Sequence, residues 1–341
     1  MTRPLIISLL ILVVAFVLSV AVGSVYIPPT TLLGLFASHL GLPLSKEWLQ
    51  ARDTAAVILF QLRLPRAILV AMVGAALSGS GAAYQGLFRN PLADPYLIGV
   101  ASGAGLGAVL AMAINWPVSF LGLTAVPAAA FVFGLISVAL VYFMARVGRT
   151  VPTTNLILAG VAVGSFATAV SSYLMLRSQG DLRRAIAWLL GGGTLSGWNP
   201  VLAASPYLVI GLGTLLVMGH ALNVLQFGDE QAQQLGLPVE TVRRIVIVAA
   251  SLTTAAAVAF AGIIGFVGLV IPHVVRMAWG GDYRRLIPLS ILCGASLLLL
   301  ADLLARVVIS PEELPVGVIT ALVGAPFFLW VLRRSKAQAF W

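Results

Sequence analysis

The stretch RLPRAILVAMVGAALSGSGAAYQGLFRNPLADPYLIGVASGAGLG, residues 63–107, contains two apolar runs joined by the polar segment RNPLADP at 89–95. Asn90 precedes a proline, and such a residue is disfavoured in the helical region, so we expect the first helix to end there. Asp94 precedes Pro95, which pairs a good N-cap residue with proline at the first helical position. The stretch therefore predicts a helix, a tight turn and a second helix.

The composition is that of an integral membrane protein. Of the 341 residues, 60% are hydrophobic and 9% are charged, whereas a soluble domain has about 25% charged residues. The apolar residues suffice for roughly ten spans of ~20 residues each. The net charge of +9 would suggest nucleic-acid binding in a soluble chain, but basic loops that fix membrane topology explain it here.

Ten apolar segments predict an all-α, multi-pass membrane protein that forms a single domain over residues 1–341. The N-terminal apolar core, Leu5–Val22, exceeds the ~7–15 residues of a signal-peptide core, so we interpret it as the first span. The eighth segment is the weakest because it is short and contains Pro272, His273 and Arg276. The predicted spans are 5–26, 57–83, 96–113, 122–145, 153–175, 200–221, 241–262, 265–280, 286–304 and 315–333.

The distribution of basic residues predicts the orientation. With the N-terminus in the cytoplasm, twelve of the twenty Lys and Arg residues lie on the inner side, as the positive-inside rule favours. The basic tail at 333–336 agrees, so we expect both termini to be cytoplasmic. The outer side then carries Lys46, Arg52, Arg63, Arg66, Arg177, Arg183, Arg184 and Arg306.

Sequence motifs for catalysis are missing. The two lysines of the chain do not stand in a Walker-type nucleotide-binding motif, and neither G-x-S-x-G nor H-E-x-x-H occurs. The three histidines and the one cysteine lack metal-ligand spacing. Asp302 is the best candidate for an ion-coupling group in a span, but Arg306 at i+4 makes a local ion pair the simpler interpretation. We therefore predict neither catalytic residues nor a metal site.

Two polar connections interrupt the apolar pattern. In QFGDEQAQQLGLPVE, residues 226–240, about two helical turns are followed by Gly236 and Pro238, which turn the chain. DLRRAIAWLL can form a short amphipathic helix that ends at Gly191–Gly193. Polar features in loops at both faces suit a protein operated by partners: a cytoplasmic motor at 226–240 and an acidic partner at the outer arginines. Taken singly, each arginine is more simply explained as an interface anchor or a solvated loop charge.

Several blocks in order resemble the FecCD family of ABC-importer permeases, which serve iron-siderophore, haem and vitamin B12 uptake. They include RLPRAILVAMVGAAL, GLFRNPLADPYLIGVASGAG, GDEQAQQLGLP, GFVGLVIPHVVR and ELPVGVITALVGAPFFLWVL. The resemblance implies the type II ABC importer permease fold and a homodimer in the bacterial inner membrane. It also implies two cytoplasmic ATPase subunits that use ATP, no covalently bound cofactor, and a periplasmic or lipid-anchored binding protein.

The same resemblance implies roles for individual residues. In the family the pathway is lined by the fifth and tenth helices, here about 153–175 and 315–333. The residues implied for docking of the binding protein are Arg63, Arg66 and Arg306. Those implied for coupling to the ATPase are Glu230, Gln231, Leu235, Gly236 and Leu237. The cytoplasmic gate falls on Pro152, Thr153 and Thr154.

Family membership leaves the cargo open. We rank a ferric siderophore or haem first and cobalamin next. Haem has little support because no histidine falls clearly on either pathway helix, where a ligand to iron would be expected. The loop at 27–56 shows no usable pattern. A self-contained secondary transporter or membrane enzyme remains the alternative to a permease that needs partners.

Overall fold

The computed structural model describes residues 2–23, 53–114, 119–120, 123–148, 150–177, 182–193 and 195–338, with a few single positions between 28 and 37. Most of the loop at 27–56 lies outside these residues. Within them, seven helices are long and apolar enough to cross a membrane, and three shorter apolar helices accompany them. These ten helices coincide with the ten predicted spans, so the all-α, multi-pass prediction is confirmed.

The chain folds almost entirely into helices. In chain order the α-helices are α1 (Thr2–Ala21), α2 (Asp53–Val57), α3 (Leu64–Leu87), α4 (Val100–Ala113), α5 (Ala125–Ala145), α6 (Thr153–Arg177), α7 (Leu182–Leu189), α8 (Trp198–Val217), α9 (Gly219–Leu225), α10 (Asp229–Gln234), α11 (Val239–Ala261), α12 (Val267–Trp279), α13 (Tyr283–Val307) and α14 (Val316–Gln338). A π-helical segment, Ile58–Arg63, joins α2 to α3, and a 3₁₀ turn, Pro95–Ile98, precedes α4. Strands β1 (Ser119–Phe120) and β2 (Leu123–Thr124) form a small antiparallel hairpin.

Helix α3 lies at the centre of the bundle and packs against α8, α11, α12 and α13. Its glycines permit this because a Cβ at Gly74 would lie 2.3 Å from the carbonyl oxygen of Gly294 on α13. A Cβ at Gly81 would lie 2.0 Å from the carbonyl oxygen of Gly268 on α12. Helices in lipid associate mainly by close packing of this kind, so these glycines fix how near α12 and α13 come to α3.

The π-helical segment has a local cause. In its i→i+5 pattern the amide of Leu64 donates to the carbonyl of Leu59, and the next carbonyl, that of Phe60, would accept from residue 65. Residue 65 is a proline and has no N–H. The indole Nε1 of Trp198, at the start of α8, donates to the Phe60 oxygen instead, at 3.0 Å. Sequence patterns did not predict this π-helical segment.

The polar segment between α3 and α4 forms a turn, as predicted, but the next α-helix does not begin directly after it. Helix α3 ends at Leu87, before Asn90, and Arg89 adopts a left-handed conformation with φ of +49°. Asp94 caps as predicted, because its Oδ1 accepts from the Tyr96 amide at 2.8 Å. It caps a single 3₁₀ turn, however, and α4 begins only at Val100.

A non-helical segment, 262–266, separates α11 from α12 inside the bundle, which explains why the eighth span is short. Backbone groups inside a membrane protein need internal partners. The Tyr96 hydroxyl supplies them to Ile264, donating to its carbonyl at 2.9 Å and accepting from its amide at 3.2 Å. The amide of Gly193, just after α7, donates to Ala261 at 3.1 Å.

Contacts between loops show which segments lie at the same end of the helical bundle. At one end Arg89 reaches Asp229 at 3.5 Å and Gln226 donates to the carbonyl of Gly86 at 2.9 Å. The start of α1 lies there too, because Pro4 and Arg284 line one cavity. At the other end lie the π-helical segment and the C-terminus of α1. Arg63, which is predicted on the outer side, thus lies at the opposite end from Arg89, and which end faces the cytoplasm stays a prediction.

We predict that Trp198→Phe lowers the free energy of unfolding by about 1 kcal/mol, the typical contribution of one hydrogen bond. Thermal unfolding of the purified protein in detergent measures the loss. In a Pro65→Ala background the same substitution should cost less, because residue 65 then offers an N–H to Phe60. Equal losses in both backgrounds would contradict the explanation of the π-helical segment.

We expect the carboxyl group of Asp94 to make the stability of the fold depend on pH. Packing around the carboxylate raises the pKa of Asp94 to about 6, although the hydrogen bond from Tyr96 opposes the shift. A raised carboxyl pKa stabilises the fold at low pH, and this contribution is lost as pH rises through the folded value. Relative to Asp94→Asn, the wild type should lose about 1 kcal/mol of stability between about pH 5 and 7. Parallel unfolding curves for the two proteins would contradict this assignment.

Candidate functional site

At the end of the bundle opposite the 226–240 loop, a buried carboxylate binds two of the arginines singled out by the sequence. Asp302 has no exposed side-chain surface, and its Oδ1 accepts from Arg66 Nη2 at 2.9 Å and Nε at 3.1 Å. Its Oδ2 lies 3.0 Å from Arg306 Nε. The structure thus confirms the predicted Asp302–Arg306 pair. It adds Arg66, whose place beside Asp302 no spacing rule could show, because 236 residues separate them.

The arginines also bind the end of α1. Arg63 Nη1 donates to the carbonyls of Val20 and Ala21, both at 3.0 Å, and Arg306 Nη2 donates to the carbonyl and hydroxyl of Ser19, both at 3.0 Å. The last carbonyls of a helix lack partners within the helix, and cations are favourable there. Two arginines from α13 and the π-helical segment therefore anchor the C-terminus of α1.

Glu313 is the second carboxylate at this end. Its Oε2 accepts from Arg66 Nη1 at 2.8 Å, and its side chain is 51% exposed, against 17% for Arg66. A cavity of about 330 Å³ opens beside the pair, and Arg63 and Arg306 also line it. A second cavity, of about 300 Å³, adjoins Glu313 and Gly191–Gly193. We call Arg63, Arg66, Arg306, Asp302 and Glu313 the outer charge cluster.

The family resemblance implied a shared docking role for Arg63, Arg66 and Arg306, and the structure brings these three side chains to one cavity. Arg63 and Arg306 are buried, with 8% and 7% exposure. Their contacts are with the chain's own backbone and carboxylates, so each has an architectural role beside any role in docking. Docking of a partner at these arginines stays a prediction.

At the opposite end, the polar loop forms the predicted helix and turn. The short helix α10 ends at Gln234, and Gly236 has φ of +83°. The amides of Gly236 and Leu237 donate to the carbonyls of Gln233 and Ala232, at 2.9 and 3.0 Å, which is a glycine-based helix C-cap. Glu230, Gln231, Leu235 and Gly236 are exposed and Leu237 is half-buried.

Two arginines hold this loop in place. Arg243 on α11 is buried, at 7% exposure, and its Nη2 lies 2.8 Å from Asp229 of α10. Its Nη1 pairs with Glu240. Arg89, from the turn after α3, reaches the other oxygen of Asp229 at 3.5 Å. These ion pairs therefore hold α10, with its exposed side chains, against α11 and the end of α3.

The predicted gate lies at the start of α6. Pro152 and Thr153 are half-buried, and Thr154 is exposed. The Leu156 amide donates to the carbonyl of Pro152 at 3.1 Å, which begins the helix. A tight turn precedes it, closed by hydrogen bonds of 2.9 and 3.1 Å between Val147 and Thr150.

Among the described residues, no group of three or more His, Cys, Asp or Glu side chains could hold a metal ion. The arrangement offers surfaces at both ends of a membrane bundle and a central set of tightly packed helices.

Comparisons with known proteins match nearly the whole chain. The model of the FecCD transport family matches residues 11–334. An uncharacterised ABC transporter permease protein, YvrB of Bacillus subtilis, is 41% identical over 326 residues, which is 95% of this chain and 91% of that protein. The cobalamin import system permease protein BtuC of Halobacterium salinarum is 46% identical over 287 residues, covering 84% of this chain and 76% of that protein.

A solved structure supports the same relationship. A metal-chelate type ABC transporter in an inward-facing conformation matches with a TM-score of 0.81 and 30% sequence identity. The match covers 97% of this chain and 98% of that one. The similarity therefore extends to the whole helical arrangement, including both ends described above.

We predict that Arg243→Gln lowers the free energy of unfolding by roughly 1.5–3 kcal/mol, because it removes the charged hydrogen bonds that join α11 to Asp229 and Glu240. It should also expose residues 226–240 to protease. Arg244→Gln is the matched control, because Arg244 is exposed on the same helix turn and should change stability by less than about 0.5 kcal/mol. Equal effects of the two substitutions would contradict the anchoring role.

Proposed function

Since the chain belongs to the FecCD transport family, whose members are permease subunits of ABC importers, we propose that it moves a large metal chelate or tetrapyrrole into the cell. Its membrane-spanning helices make it a multi-pass membrane protein, and ATP is hydrolysed by separate subunits rather than by this chain. The observation that carries the proposed cargo is the 46% identity with the cobalamin permease of Halobacterium salinarum. That similarity moves cobalamin ahead of ferric siderophores and haem, which the sequence alone ranked first.

The proposed working unit is a homodimer with the pathway between two copies of α6. Of the seven long spans, α6 has the smallest buried share, 22%. Its exposed face carries hydroxyls at Ser165, Thr168 and Ser172 as well as at Thr154. The first three are spaced i, i+3, i+7, so they lie on one helix face. A row of hydroxyls suits a wet pathway better than a lipid-facing surface.

The two proposed partner proteins contact opposite ends of the bundle. The outer charge cluster would meet carboxylates of a periplasmic or lipid-anchored binding protein, since complementary charges favour encounter and orientation. Glu230, Gln231, Leu235, Gly236 and Leu237 would contact the ATPase. Pro152, Thr153 and Thr154 would form the cytoplasmic gate. This assignment places both termini in the cytoplasm, in agreement with the basic residues at that end.

Reconstitution tests the proposal. Liposomes containing this chain and its ATPase, with the binding protein outside and ATP inside, should take up cyanocobalamin. Haem and a ferric siderophore are compared at the same concentration. Omission of ATP, of the ATPase or of the binding protein should each abolish uptake.

Two results would contradict the proposal in different ways. Preferred uptake of haem or of the siderophore would overturn the cargo and leave the permease role intact. Uptake by this chain alone, driven by an ion gradient, would instead support the self-contained transporter. The Asp302–Arg306 pair argues against that alternative, because the best-placed buried carboxylate is neutralised by arginines.

A further inference from the structure

We propose that Glu313 occupies the position on Arg66 that a carboxylate of the docking partner takes, and that docking displaces it. The inference rests on the proposed docking role of the outer charge cluster and adds a switch to it. The partner's side is an acidic side chain, Asp or Glu, presented by the binding protein. The chain would thus carry its own substitute for the partner's acid.

The two carboxylates bind different sides of one guanidinium group. Asp302 accepts from Nε and Nη2 of Arg66, at 3.1 and 2.9 Å. Glu313 accepts from Nη1 alone, at 2.8 Å. Guanidinium groups present their donors in a rigid fork, so the side that faces Asp302 keeps its orientation when the Nη1 side changes partner.

Exposure separates a permanent carboxylate from a replaceable one. Asp302 is fully buried, whereas Glu313 is 51% exposed. A buried charge is costly to unpair, but an exposed ion pair contributes little to stability. Glu313 can therefore exchange Arg66 for water at small cost, and an incoming carboxylate can take its place.

The cavity beside the pair gives the partner access. It has a volume of about 330 Å³ and is lined by Arg63, Arg66, Arg306 and Glu313. Three arginines and two carboxylates leave one net positive charge. When Glu313 moves away, the site has two net positive charges. This larger positive charge attracts an acidic group.

Displacement of Glu313 would reach α14, one of the two helices implied to line the pathway. Glu313 lies in the exposed segment 308–313, three residues before Val316, where α14 begins. The Leu314 amide still donates to the carbonyl of Ala305 at 3.0 Å. Loss of the Arg66 contact would therefore remove one of the links that hold the start of α14 to α3.

Binding measurements on the intact importer test the switch, with its ligand-free binding protein as the probe. Glu313→Gln should tighten docking about 2- to 5-fold at low salt, the range expected for removal of one exposed competing ion pair. The gain should shrink as salt rises. Glu312→Gln is the matched control, because it removes the same charge one residue away and Glu312 forms no ion pair among the described residues.

The outcomes separate this inference from the docking proposal. Arg66→Lys keeps the positive charge beside Asp302. It should weaken docking because lysine lacks the forked N–H donors of a guanidinium group. If Arg66→Lys weakens docking while Glu313→Gln behaves like Glu312→Gln, the docking role stands and the displacement fails. If Arg66→Lys docks like the wild type while its unfolding curve is unchanged, the docking role itself fails.

Hydrogen exchange supplies a second readout. Docking should raise amide exchange in the segment 308–313 and at the first turn of α14 in the wild type. In Glu313→Gln exchange there should be raised before docking, and in Glu312→Gln it should match the wild type. Weaker docking by Glu313→Gln, or slower exchange of this segment on docking, would overturn the inference.

Discussion

One end of the helical bundle depends on a single buried carboxylate. Asp302 has no exposed surface and pairs with Arg66 of α3 and with Arg306 one turn further along α13. A charge inside a membrane protein needs a partner, and here the partners come from two helices. Arg306, with Arg63, also binds the last carbonyls of α1. Three helices are thus joined around a single anion, and its removal would break the ion pair of Arg306 and leave Arg66 with Glu313 as its remaining carboxylate.

Local sequence rules predicted much of the fold. The ten spans, the cap formed by Asp94 and the turn at Gly236 each follow from a few neighbouring residues. The contacts that join distant segments could not be predicted in this way. Arg66 meets Asp302 across 236 residues, and Trp198 completes the π-helical segment across 138 residues. No periodicity connects such residues, because their distance is set by helix packing.

The stretch 63–107 connects the two ends of the bundle. It begins at the outer charge cluster and passes through the closely packed glycines of α3. It then reaches the carbonyl of Gly86, which accepts from Gln226 beside the polar loop. Arg89 follows and pairs with Asp229 of α10. One rigid helix therefore has the proposed docking site at one end and the proposed coupling site at the other.

The outer charge cluster, in this interpretation, receives an acidic partner by exchanging a carboxylate on Arg66. The most direct measurement is a structure of the importer with its binding protein docked. We predict a carboxylate of the binding protein within hydrogen-bonding distance of Arg66 Nη1, with Glu313 turned away and Asp302 still in place. A docked complex in which Glu313 keeps its contact with Arg66, and no partner carboxylate approaches, would contradict the exchange.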